Sequence, residues 1–223
     1  MIKVPLVLSG LYLPNVNNPI LLAWAYAEAE LIYEEPSGVS EFLSMFWEAS
    51  GFECKPLVNL RGPLPKLSRY IVLSLEIVKR AREECGLPIK EKEIWEMLEL
   101  LDGALMDSPY VEGLRKVQRY QSPILYRKGE DPVPVDVRVY KVRPLMWYPV
   151  GDPLILDNSL VHLAGIVTIK LAETGRKELN IVENGLWTSI YGVVSPPYSW
   201  LKWVWDGKEA ALLEIQELTS SSA

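Results

Sequence analysis

NPILLAWAYAEAELIYEE, residues 18–35, is the stretch on which the fold turns. Asn18 can cap a helix, and Pro19 suits its first turn, where a missing N–H costs nothing. Leu22, Ala25, Tyr26, Ala29, Ile32 and Tyr33 recur at spacings of three and four, the period of a helix with one buried face. The spacing predicts a helix that Pro36 ends. Beyond Ser37-Gly38, VSEFLSMFWEAS (39–50) predicts a short second helix presenting Phe42, Leu43 and Phe46 and closed by Gly51. Together they predict a helical hairpin.

On the N-terminal side, IKVPLVLSGLY (2–12) is apolar and open between strand and helix. On the other side, FECKPLVNL (52–60) reads as a strand. A long helix is predicted over Lys66–Cys85, stopped by Gly86 and Pro88. KEKEIWEMLELLDG (90–103) is a fourth helix and 111–121 a fifth. From Pro123 to Val142 the pattern turns β-like, and ILYR and VDVRVYKV pair across the 129–134 loop. NSLVHLAGIVTIKLAET (158–174) is a helix capped by Asp157, Asn158 or Ser159 and stopped at Gly175. LWTSIYGVV (186–194) reads as a strand, Pro196-Pro197 breaks it, and WLKWVW (200–205) follows. KEAALLEIQEL (208–218) has helical composition. The expected fold is α+β, predominantly helical, with a small antiparallel β portion in the C-terminal half. Residues 1–143 are expected to be mostly helical, with a basic segment at 55–143, and 144–223 to form an α+β C-terminal part.

The chain has 223 residues and a net charge of −6, enough length for one large domain or two small ones. That charge hides an asymmetry. Residues 1–54 carry −6, 55–143 carry +4 and 144–223 carry −4. A basic middle between acidic flanks is either a nucleic-acid footprint or a set of helix ion pairs. No apolar run is long enough for a membrane span and no secretory signal is evident. Cys54 and Cys85 point to a reducing compartment, with a single disulfide as the alternative. The expected location is cytoplasmic. Low Gln and Thr content points to a thermophile.

Missing chemistry narrows the function classes. No two of the fourteen glycines are closer than seven residues, which excludes the common phosphate-cradling loops. There is no D-x-D for two-metal nucleotidyl transfer. Two cysteines and one histidine cannot complete a zinc or iron–sulfur site without carboxylates. His162 reads as a packed or half-exposed side chain, and Asp102 and Asp107 as a cap and a turn. No catalytic residue, cofactor or metal is expected, so a binding or scaffold role gains by elimination. The segment KVQRYQSPILYRKG (116–129) gathers four cations and two tyrosines without an acid. It is either a solvated face or a contact for something negative and flat.

Two stretches carry a resemblance: VNNPILLAWAYAEAELIYEEPSGVSEFLSMFWEASGFECK (16–55) and LPKLSRYIVLSLEIVKRAREECGLPIKEKEIWEMLELLDGALMDSPYVEGLRKVQRYQ (64–121). They resemble the archaeal primase large subunit, the second through Arg69-Tyr70, Gly86 to Glu93, and Tyr120-Gln121. SPPYSW (195–200) is a fainter likeness. The matches span roughly 100 residues of helical composition, and the four cluster cysteines of that family are missing. The resemblance implies a non-catalytic accessory subunit of a primosome, which holds a template–primer or a 5′ triphosphate beside a catalytic primase partner. On that reading Lys66, Arg69, Arg80, Lys116, Arg119, Arg127 and Lys128 meet phosphates. Tyr120 or Tyr126 stacks on a base or ribose, and Gln121 lies beside them. Two other readings stand: a degenerate small-molecule kinase of the GHMP type, and a ligand-free interaction module with an exposed aromatic patch.

Overall fold

The computed structural model describes residues 1–13, 15–33, 48–51, 53–54, 56–86, 88–106, 108–137 and 140–217. Its centre is a seven-stranded mixed sheet. The N-terminal strands β1 (Ile2–Ser9) and β2 (Ile20–Ala27) pair antiparallel along their whole length. The other edge of β2 is shared. Its first half takes β5 (Ile124–Tyr126) antiparallel, and its second half takes β7 (Tyr140–Pro149) in parallel. β6 (Val133–Pro134) extends β5, while β9 (Glu209–Glu217) and β8 (Leu201–Trp205) continue from β7. A separate two-stranded sheet joins β3 (Glu30–Ile32) to β4 (Asn59–Arg61).

The sheet carries a helical layer on each face. α1 (Lys66–Glu84), α2 (Glu91–Met106) and α3 (Pro109–Tyr120) pack together, with α1 and α3 on β1. α3 sits so close to β2 that a Cβ on Gly113 would fall 2.2 Å from Leu22 Cδ1. α4 (Asn158–Thr174) and α5 (Leu179–Tyr191) pair with each other and lie against β2 and β8 respectively. A register shift in β1 fixes the geometry between the layers. Val7 stands opposite Leu22, yet Ser9 stands opposite Leu21. The bulge turns Ser9 away from the α3 face and toward α4 and α5.

Within this stretch, Ile20–Ala27 and Glu30–Ile32 are therefore two strands and not a helix. From Ile20 to Ala27 no residue is charged, and every side chain except Tyr26 is buried. Such a segment offers no face to water, so the central-strand solution wins over the helical spacing. The protein is mixed α/β, with 41% helix and 26% strand, and not predominantly helical with a small C-terminal β portion. Two further expectations reverse. LWTSIYGVV lies mostly in helix α5, and Glu209–Glu217 of KEAALLEIQEL form strand β9. The buried face of α5 includes Asn180, Glu183 and Asn184, so its apolar residues alone do not show a helical period. From Ala211 on, β9 alternates: Ala211, Leu213 and Ile215 are buried, whereas Leu212 and Glu214 are half-buried and Gln216 is exposed, a two-residue period beneath helix-forming composition.

ILYR does not pair with VDVRVYKV: β5 pairs with Val133–Pro134, inside the expected loop, and Tyr140–Val142 join β2 and β9 instead. Among the described residues of 52–60, only Asn59 and Leu60 enter a strand. Most of the expected second helix, residues 39–47, lies outside the described residues. The helices at 66–84, 91–106, 109–120 and 158–174 stand where their spacing places them, and Asp157 caps the last through Ser159 N–H at 2.7 Å. The boundary expected at 143/144 falls within β7.

Candidate functional site

α1 begins at Lys66, and its capping group comes from the β8–β9 turn. Asp206 accepts the N–H of Lys66 at 2.7 Å and of Leu67 at 2.8 Å, together with the Trp147 indole N–H at 2.8 Å. Burial pushes the Asp206 carboxyl up, and those donors pull against it. Lys66 reaches Glu209 at 2.6 Å. Arg69 donates to the carbonyls of Leu60 and Gly62 at 2.5 and 2.6 Å, which ties α1 to β4. Burial lowers its pKa. Further along, Arg80 lies 3.7 Å from the Tyr33 ring centre and pairs with Glu84, whereas Glu76 takes Lys79.

On α3 the structure brings Lys116, Arg119 and Tyr120 onto one face. Lys116 meets Glu112 at 3.5 Å and Arg119 meets Glu99 of α2 at 2.7 Å. A groove of about 210 Å³ runs beside them, with Glu99, Ser108, Glu112 and Lys116 among its lining. Tyr120 is exposed. Tyr126 is buried against α3, with Lys116 5.6 Å from its ring centre, so its faces are not open for stacking. Gln121 caps α3 in the left-handed region at φ 56° and donates to the Gln118 carbonyl. Arg127 pairs with Glu130 at 3.1 Å, and the backbone of Lys128 exchanges two hydrogen bonds with Asn17. Lys66 and Arg69 belong to a different place, against β9 and β4. Asp107 lies outside the described residues.

Two buried polar networks were not anticipated in the sequence. In the first, Arg115 spends all five donors: two on Asp102, and one each on Gln118, Ser74 and the Ile71 carbonyl, at 2.7–3.1 Å. Tyr70 also donates to Asp102, and burial followed by the Asp102 charge pushes its hydroxyl pKa far up. Three helices meet at this point. In the second, Glu183 of α5 accepts from Lys202 at 2.5 Å, from Ser9 at 2.8 Å and from Gly10 N–H at 2.9 Å. Lys202 also reaches Asn180, and Thr168 lies 3.1 Å from Ser9. Burial lowers the Lys202 pKa while the Glu183 charge opposes it. Lys202 is 0% and Glu183 2% exposed, so no substrate reaches either. The spacing of Asn180, Glu183 and Asn184 is the one sequence signal that could have revealed this site.

The outer surface of the α4–α5 layer is the opposite of its interior. Leu163 and Ile166 on α4, Ile181 and Val182 on α5, and Leu154–Leu156 ahead of α4 are all exposed. Leu154 N–H donates to the Ile190 carbonyl at the end of α5, and its Cδ1 stands 3.1 Å from a Cβ placed on Gly192. Val194 is 81% exposed, and its carbonyl accepts from the Trp203 indole. Tyr148 meets Trp203 edge-on, and Tyr198 stacks on Trp200 at 4.4 Å, all three outer rings being solvent-exposed. The charges on the exposed side of α4, Lys170 and Glu173, pair with each other at 2.6 Å. Of the WLKWVW tryptophans, Trp200 alone is exposed.

No family model, curated protein or solved structure matches the chain. Among the described residues, no helix is long and apolar enough to cross a membrane.

Proposed function

We propose that the chain is a non-catalytic subunit that works as an assembly, and that its α4–α5 face is covered by a second copy of itself. The observation that supports this is the set of exposed Leu, Ile and Val side chains on adjacent elements. Apolar residues scattered singly on a surface are ordinary, whereas a set on adjoining elements marks an interface. A self-paired face must tolerate its own charge across a two-fold axis. This one does, because its Lys170–Glu173 pair is internally neutral while the chain as a whole carries −6. Homodimer interfaces are also the more apolar kind. Replacing Ile166 and Val182 together by Glu tests the reading by light scattering. The unsubstituted chain elutes as a dimer and the double variant as a folded monomer; identical masses for the two overturn it.

A second reading keeps a nucleic-acid role for the same subunit. It is favoured by Lys116, Arg119 and exposed Tyr120 sharing one helix face beside the groove. A polyanion would have to displace Glu112 and Glu99 from those cations. Binding to a single-stranded oligonucleotide should then weaken with salt and be lost in Lys116→Ala/Arg119→Ala. Equal binding by both proteins, or none at low salt, removes this reading.

A further inference from the structure

Among the described residues, β8 ends the seven-stranded sheet and pairs only with β9. An end strand offers a row of unpaired N–H and C=O groups to any other extended chain, and proteins commonly blunt it with an outward lysine or a proline. β8 has neither defence. It contains no proline, and its one charged residue, Lys202, is buried on Glu183 and Asn180. Trp203–Trp205 is aromatic and β-branched, a composition that suits strand pairing. The edge is met by α5 instead. The Trp200 carbonyl accepts from Ile215 of β9 at 2.8 Å, so the Leu201 carbonyl and the Trp203 N–H turn to the other edge. Asn184 donates to the first at 2.8 Å and accepts from the second at 3.0 Å. One turn earlier, Asn180 donates to the Ser199 carbonyl at 2.8 Å. Asn184 is fully buried, whereas Ile181 and Val182 are exposed on the outer side of the same helix.

We propose that Asn184 is an edge guard: it keeps α5 seated on β8 and holds the two backbone groups through which β8 would otherwise pair with β8 of a second copy of this chain. A carboxamide carries one acceptor and a donor, as a peptide group does, so Asn184 stands in for the neighbouring strand that β8 lacks. Without the amide, the Leu201 carbonyl and the Trp203 N–H lie buried and unpaired, a state that favours release of α5 from the edge. The exposed edge then meets its own kind, antiparallel about a two-fold axis. The guard works on the inner side of α5 and does not rest on what covers the outer side.

Amide exchange followed by NMR on the full chain, joined to sedimentation equilibrium, tests the guard in the unsubstituted protein and in Asn184→Leu. In the unsubstituted protein the Trp203 N–H is as protected as the amides of α5, because both exchange only when α5 opens. In Asn184→Leu its exchange rises about tenfold or more, while Lys202 and Val204, whose N–H groups face β9, stay protected. The variant is also heavier than the unsubstituted chain at the same concentration, and dilution removes the difference. A Trp203 N–H that exchanges freely in the unsubstituted protein overturns the proposal whether or not the variant folds. An unaltered Trp203 in the variant overturns it, as does an equal rise at Lys202 and Val204, since the side chain would then hold the fold and not the edge. An unchanged mass with an opened Trp203 also overturns it, because the edge would not need guarding.

Discussion

The two helical layers solve the same problem in different ways. Each buries one ion pair, Arg115–Asp102 under α1–α3 and Lys202–Glu183 under α4–α5. Outside, they part. α1–α3 dresses its surface with matched charges such as Arg119–Glu99, Lys116–Glu112 and Arg80–Glu84. α4–α5 shows Leu163, Ile166, Ile181 and Val182 to solvent. The first layer is finished against water. The second is finished only when something apolar covers it.

The comparison breaks first at its buried charges. Asp102→Ala strands Arg115 and Tyr70 in the core, and should lower the unfolding free energy by about 3–5 kcal/mol. Glu183→Ala, which strands Lys202, belongs to the same range, and urea titration measures both. If either costs under ~1 kcal/mol, the two networks are not equivalent supports.

Next comes pH. Tyr70 and Tyr110 are buried, and burial raises both hydroxyl pKa values above the ordinary 10.0. Their stabilisation is complete below pH 10, where both states keep the proton. It is lost as pH rises toward the folded values, because only the unfolded chain ionises. Each tyrosine then costs about 1.4 kcal/mol per pH unit above 10. Thermal melts followed at the tyrosinate absorbance check this: ionisation of these two rings should coincide with unfolding.

The outer faces give the smallest changes in the monomer and the clearest contrast. Arg119→Ala should cost about 0–1 kcal/mol, less at high salt, since its pair with Glu99 is surface-exposed. Ile166→Glu with Val182→Glu should leave monomer stability within about 1 kcal/mol yet weaken self-association about a hundredfold or more. A loss of stability in place of association would mean that those side chains belong to the core.

What could be read from the sequence follows from how each segment meets water. Amphipathic helices α1–α3 were legible because polar and apolar residues alternate at their period, and α4 because Asp157 caps its start and Gly175 stops it. β2 was not, since Ile20–Ala27 faces protein on both sides and has no polar phase. α5 was hidden by the reverse cause, with Asn180, Glu183 and Asn184 turned inward. For β9, the Asp206-Gly207 turn, with Gly207 at φ 86°, marks a hairpin with β8 that helix-forming Ala, Leu and Glu obscure. The basic middle was legible as composition, and pairs such as Arg80–Glu84 and Lys116–Glu112 lie within one helical turn, but other acid partners come from three-dimensional proximity: Glu99 lies 20 residues from Arg119 and Glu209 143 from Lys66. The apolar outer face was visible as residues and not as a surface, because only the packing of α4 on α5 shows which sides remain uncovered.

Sedimentation equilibrium of the unsubstituted chain over a concentration series tests the central claim most directly. A mass twice that of one chain, falling toward one on dilution, is the expected result. The mass of a single chain at every concentration would contradict it.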